Sequence, residues 1–136
     1  MGGGANPFAA HIVAEYCRSG HWEKHIVHLQ SLYKGRRDLA LSALSQYMPS
    51  DVGWTRPAGG FFIWLSLPEH VFAQDVKRMA LQEGVLLAAG EGFFVHPSDG
   101  QHNLRLAYSC ATPGDIETGI RMLAQVILRA RMVEKQ

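Results

Sequence analysis

No apolar run in this sequence is long enough to span a bilayer, and the longest, such as Phe61 to Leu65, suits a buried strand. There is no block of like charge either. Thirteen lysines and arginines are scattered among 12 aspartates and glutamates for a net charge of +1, which leaves no electrostatic footprint for nucleic acid. The start, Met1-Gly2-Gly3-Gly4, lacks the basic and apolar regions of a signal peptide, and the expected compartment is the cytoplasm. Cysteine is scarce: Cys17 and Cys110 fit neither C-x-x-C nor zinc-finger spacing. They read as reduced core residues, with a disulfide as the alternative. Internal repeats are absent, and low complexity is confined to the three glycines at the start. What remains is an ordinary globular composition, 47% hydrophobic and 18% charged, in 136 residues that suffice for one core.

Helical grammar dominates the first third. Asn6-Pro7 is a good opening, with a side-chain acceptor at the cap and proline where no amide is missed. Phe8, Ile12, Val13 and Tyr16 follow helical spacing, Ser19-Gly20 reads as a stop, and Trp22, Ile26, Leu29, Leu32 and Tyr33 restore the pattern. Gly35 weakens the helix without ending it, and the stripe continues to Tyr47. The expectation is one long helical element bent near residue 20.

Strand grammar follows. Short strands are predicted at Val52 to Thr55 and Val85 to Ala88, and stronger ones at Phe61 to Leu67 and Asn103 to Ser109. Phe62 and Trp64 are expected as core residues of their strand. A helix is predicted from Val71 to Glu83, with Gly84 as its C-terminal glycine. Another opens at Thr112-Pro113-Gly114-Asp115, with Met132 to Gln136 frayed. This order predicts an α+β two-layer domain, a long N-terminal helical segment followed by a small sheet covered on one face by helices.

Five landmarks in order carry a resemblance: GGGANPFAAHIVAEYCRSGHWEKHI, LYKGRRDLALSAL, WTRPAGGFFIWLSLP, EGVLLAAGEGFF and NLRLAYS. Together they resemble the C-terminal small domain of fold-type I, class I/II, pyridoxal-phosphate (PLP)-dependent aminotransferases. The likeness is strongest to the branch of 2-aminoadipate-type enzymes and MocR-type regulators. It implies that residues 1–50 form a helical segment linking a large domain to the small domain, and that 51–136 are the α+β small domain itself. It implies PLP in the full-length enzyme, none bound to this chain alone, and an amino acid substrate. The partners implied are the missing large domain and a second copy in a homo-oligomer, with no nucleic acid and no membrane.

Alternation in Asn103-Leu104-Arg105-Leu106-Ala107-Tyr108-Ser109 sets Arg105, Ala107 and Ser109 on one face and Leu104, Leu106 and Tyr108 on the other. A lone strand arginine is usually solvated. By the resemblance, Arg105 matches the arginine that clamps the substrate α-carboxylate, a task suited to a planar, permanently charged fork. Gly59-Gly60 permits a sharp turn into the strand or close approach of a ligand. The resemblance places Gly60 and Phe61 beside the substrate side chain. Gly90-Glu91-Gly92-Phe93-Phe94 is not a phosphate loop, because no G-K-[ST] follows; it reads as a turn packing Phe93 or Phe94 near the site.

No residue here is expected to be catalytic. The resemblance puts the cofactor lysine in the large domain, and the isolated chain is expected to be inactive. Lys34, in a formal S-x-x-K, reads as a solvated helix lysine. His21, His25 and His28 share a helix face, but without H-E-x-x-H they read as surface residues and no metal is expected. An autonomous dimerising or ligand-binding module, and the effector half of a MocR-type regulator, remain the alternatives.

Overall fold

A computed structural model describes residues 6–133. The chain divides into two compact units, one ending at Leu32 and the other beginning at Tyr33.

In the first unit, helix α1 (Pro7–Arg18) opens as its sequence requires. The Asn6 side chain accepts hydrogen bonds from the amides of Phe8 and Ala9 at 3.0 and 3.4 Å. Helix α2 (His21–Tyr47) follows and continues into the second unit, running straight through Gly35. The expected single bent helix is therefore two. Ser19 caps α1 and Gly20 takes φ +74°, a conformation that stops the hydrogen-bond ladder before His21 restarts it. No residue of α1 is buried.

The second unit is built on a four-stranded antiparallel sheet with strands β1 (Gly53–Trp54), β2 (Phe62–Ser66), β3 (Ala88–Ala89) and β4 (Asn103–Ala107), in the order β1-β2-β4-β3. Helix α3 (Ala73–Gln82) joins β2 to β3, and helix α4 (Pro113–Val133) closes the described chain. Two single 3-10 turns, Gly90–Phe93 and Pro97–Gly100, lie between β3 and β4. Thr112 opens α4 as a cap: its Oγ1 accepts from the Asp115 amide at 3.3 Å and donates to the Asp115 carboxylate at 2.6 Å. The frayed end expected from Met132 lies outside the described residues beyond Val133, and up to Val133 the helix persists.

One face of the sheet holds the core. Ile63, Leu65, Leu104 and Tyr108 pack with Ala40, Ala43 and Leu44 of α2, Val76 and Ala80 of α3, and Ile116, Ile120, Leu123 and Ile127 of α4. The α+β architecture read from the sequence is the one observed. Register settles what pattern left loose. The strand expected at Val85 to Ala88 forms only at Ala88–Ala89, because Val85 is taken up by the end of α3. Gly84, at φ +79°, donates to the Leu81 carbonyl and Val85 to the Ala80 carbonyl, the paired bonds of a Schellman close. The strand expected to reach Ser109 ends at Ala107, although the Tyr108 amide still bonds the Phe61 carbonyl at 3.1 Å.

Phe62 and Trp64 are not core residues as expected. Strand β2 alternates, so burying Ile63 and Leu65 turns Phe62, Trp64 and Ser66 to the opposite face, where Phe62 is 42% exposed. Nor are the cysteines core residues. Both are free and exposed: Cys17 lies on α1, which buries nothing, and Cys110 lies in the turn before α4.

Candidate functional site

The face of the sheet opposite the core brings the site together. In the β2–β4 ladder Trp64 stands directly opposite Arg105, and Phe62, two residues along the same strand, is its diagonal neighbour on that face. The guanidinium carbon of Arg105 lies 4.1 Å from the centre of the Phe62 ring and 4.3 Å from that of Phe93. Phe93 arrives from the 3-10 turn Gly90–Phe93, as expected from its place in the glycine-rich loop. Trp64 backs the arrangement, in edge contact with Phe93 at 5.7 Å and tilted against Phe94 at 5.8 Å.

Arg105 donates to no acceptor among the described residues, and its guanidinium is flanked by two rings. By contrast, Arg36 reaches the Ser109 carbonyl, and Arg37 bonds the Ala58 carbonyl at 2.6 Å and the Asp38 carboxylate. Arg131 and Arg129 pair with Asp51 and Glu83. Chemically, Arg105 has N–H donors unengaged by described residues that suit a planar oxyanion, and its guanidinium carbon lies over two aromatic rings.

Gly60 and Phe61 lie at the entrance to β2, on the same sheet as Arg105. Gly60 has φ +89°, so this turn favours glycine whatever space a side chain would find. Its carbonyl accepts a 2.7 Å hydrogen bond from the Tyr108 hydroxyl, and burial pushes the Tyr108 phenol above its ordinary pKa. The Phe61 ring meets Tyr33 edge-on at 5.0 Å and Phe62 at 6.4 Å. A line of rings thus runs from Tyr33 through Phe61 and Phe62 to the guanidinium. The sequence reading singled out Arg105, Gly60 and Phe61 and set Phe62 in the core, missing that it shares the sheet face of Arg105. The signal was present in the alternation of Phe-Ile-Trp-Leu-Ser, which can bury only one of its two faces.

A cleft of about 400 Å³ lies on another side of this unit, lined by Leu106, Ala107, Tyr108, Cys110, Asp115 and Ile116 among others. PLP requires a lysine for covalent attachment, and the cleft lining contains none. Lys34 is elsewhere, 69% exposed on α2 and paired with Asp38 at 2.9 Å, an interaction that with Arg37 holds the Asp38 carboxyl below its ordinary pKa. These residues do not fit the cofactor. Of the histidines on α2, His21 contacts the Ser19 hydroxyl at 2.6 Å through Nδ1 and stacks on Tyr16, which also meets the edge of His25.

No family model matches the chain. The chain is 38% identical over 122 residues to aromatic-amino-acid aminotransferase 1 of Thermococcus litoralis, a match covering 90% of this chain and 29% of the relative. It is 30% identical over 124 residues to an HTH-type transcriptional regulator of Bacillus subtilis, covering 91% of this chain and 25% of that one. Among solved structures, it superposes with a TM-score of 0.81 and 37% identity on a multiple substrate aminotransferase from Thermococcus profundus, covering 88% of this chain and 29% of that one. The chain therefore spans under a third of the length of the relatives it matches. Over nine-tenths of its length, in sequence and in α+β fold, this segment is similar to the corresponding part of fold-type I PLP-dependent aminotransferases.

Proposed function

We propose that this segment serves a PLP-dependent aminotransferase acting on α-amino acids, and that Arg105 receives the substrate α-carboxylate. The observation that carries the reading is a guanidinium with no described acceptor, set on the open sheet face between Phe62 and Phe93. An arginine placed this way has its hydrogen-bonding capacity in reserve for a carboxylate, which it can grip through two parallel bonds. In this reading residues 1–50 link the small domain to a large domain, which supplies the cofactor and its lysine. The chain alone is then inactive and binds no PLP. Gly60 and Phe61 border the substrate side chain, and closure of the small domain orients the substrate and excludes water.

The test is kinetic. In the longer protein, Arg105→Ala should raise the apparent KM for the amino acid far more than it weakens PLP binding. An unchanged KM removes Arg105 from the substrate site. Replacing Gly60 or Phe61 should alter discrimination among amino acid side chains, and equal effects on all of them would remove both residues from that role.

The likeness to a regulator favours a second reading, in which the same carboxylate grip senses an amino acid and controls DNA binding through another domain. Amino-acid turnover by the longer protein supports the first reading; ligand-dependent DNA binding without turnover supports the second.

The segment is also proposed to self-associate through its N-terminal helical part. On α1, Phe8, Ile12, Val13 and Tyr16 are 74, 55, 60 and 40% exposed, an apolar stripe of the kind that drives association. Sedimentation should show mass rising with concentration, and a concentration-independent monomer would end this part of the proposal.

A further inference from the structure

If Arg105 is the carboxylate receptor, as proposed above, something must keep its long side chain in one place. A free arginine loses rotamer freedom on binding, and that loss subtracts from affinity. Here Phe62 and Phe93 lie 4.1 and 4.3 Å from the guanidinium carbon, one carried by the sheet and one by a turn. A ring on a guanidinium face displaces no hydrogen bond, because the donors lie in the guanidinium plane. The N–H edge therefore stays available while the group is held.

Phe93 has a fixed mount. Gly90, which opens its turn, lies against Gly100, which ends the next. A Cβ on Gly90 would come within 2.5 Å of the Gly100 carbonyl oxygen, and one on Gly100 within 2.6 Å of the Gly90 oxygen. Neither position can carry a side chain without backbone movement. A hydrogen bond of 3.2 Å from Gln74 to Glu91 ties the same turn to α3, and Trp64 supports the Phe93 ring from the sheet.

We infer that Phe62 and Phe93 are positioning residues that preorganise Arg105 for a planar carboxylate, and that the backbone contact between Gly90 and Gly100 sets Phe93 in place. The rings act through the arginine and need not touch the carboxylate. Both are partly exposed, at 42 and 49%, so leucine at either position leaves the buried core intact.

The experiment uses this chain with isotope-labelled arginine, the Arg105 signals being assigned by their loss in Arg105→Lys. The Arg105 δ-protons should be shifted upfield by the rings relative to those of exposed Arg18. Acetate, titrated at constant ionic strength with chloride as the control, should perturb the Arg105 Nε–H signal. Phe62→Leu and Phe93→Leu should each reduce the upfield shift and weaken acetate binding about 2- to 5-fold, as expected for losing one cation–π contact. Phe93→Tyr, which retains a π face, should restore both readouts. Gly90→Ala should reproduce the loss of shift caused by Phe93→Leu. If the leucine variants lose the shift but keep full acetate affinity, the rings only pack and the inference fails, while Arg105 stands as the carboxylate group. If acetate leaves Arg105 unmoved in the unaltered chain, or binds Arg105→Lys equally well, the receptor reading falls and takes the inference with it.

Discussion

The two faces of the sheet are made from alternate residues of the same strands and have opposite characters. On one, Ile63, Leu65, Leu104 and Tyr108 are almost wholly removed from water beneath three helices. On the other, Phe62 and Phe93 stay partly exposed, Arg105 lies against both rings, and Trp64 meets Phe93 edge-on. The first face holds the fold together by burying apolar area. The second is apolar as well but stays partly open, and it has a charge at its centre. Aromatic side chains are thus used in two ways within one strand pair. Tyr108 fills the core, while Phe62 and Phe93 hold a cation at the surface. Composition cannot separate these uses, because only the register assigns each ring its side.

This contrast can be broken from the covered side first. Leu65→Ala should cost about 2–5 kcal/mol of unfolding free energy, measured by urea denaturation, since a fully buried side chain leaves a cavity. A loss as small as a surface change would mean that this face is not the core. Tyr108→Phe should cost about 1 kcal/mol, because it removes the hydrogen bond to the Gly60 carbonyl and leaves that oxygen without this partner. The same substitution sharpens the comparison through pH. Burial raises the Tyr108 pKa above its ordinary value of 10.0, so folding favours the neutral phenol. That contribution is complete below 10.0 and lost as pH rises through the elevated folded value. The unaltered chain should therefore lose stability on alkaline titration more steeply than Tyr108→Phe, and parallel profiles would contradict a buried titrating phenol. The smallest effect belongs to the open face. Arg105→Ala should change unfolding free energy by less than about 1 kcal/mol, the scale of the ring contacts it loses, despite its large expected effect on KM. A greater loss would make Arg105 a structural residue and erase the distinction between the faces.

Much of this was legible in the sequence because it rests on short-range rules. Asn6-Pro7 and Thr112-Pro113 begin helices because a capping oxygen and a missing amide suit a helix start in any context. Gly84 ends one because a positive φ costs glycine nothing. Arg105 could be singled out only because it lies inside a matching landmark; alternation alone makes a strand arginine an ordinary solvated residue. What could not be read depended on partners distant in sequence. Trp64 meets Arg105 across 41 positions of chain only because the β2–β4 register aligns them. Phe62 and Trp64 were misplaced in the core because hydrophobicity says that a strand is apolar, not which side a helix covers.

The sequence by itself therefore determined the element types, the α+β class, the helix ends set by caps and glycines, and the family likeness, all of which rest on local conformational energy or on residue order. Tertiary structure alone decided how short β3 became, that both cysteines face outward, and which rings surround Arg105. Those outcomes depend on register and on contact between glycine backbones, where the deciding atoms belong to residues far apart in the chain.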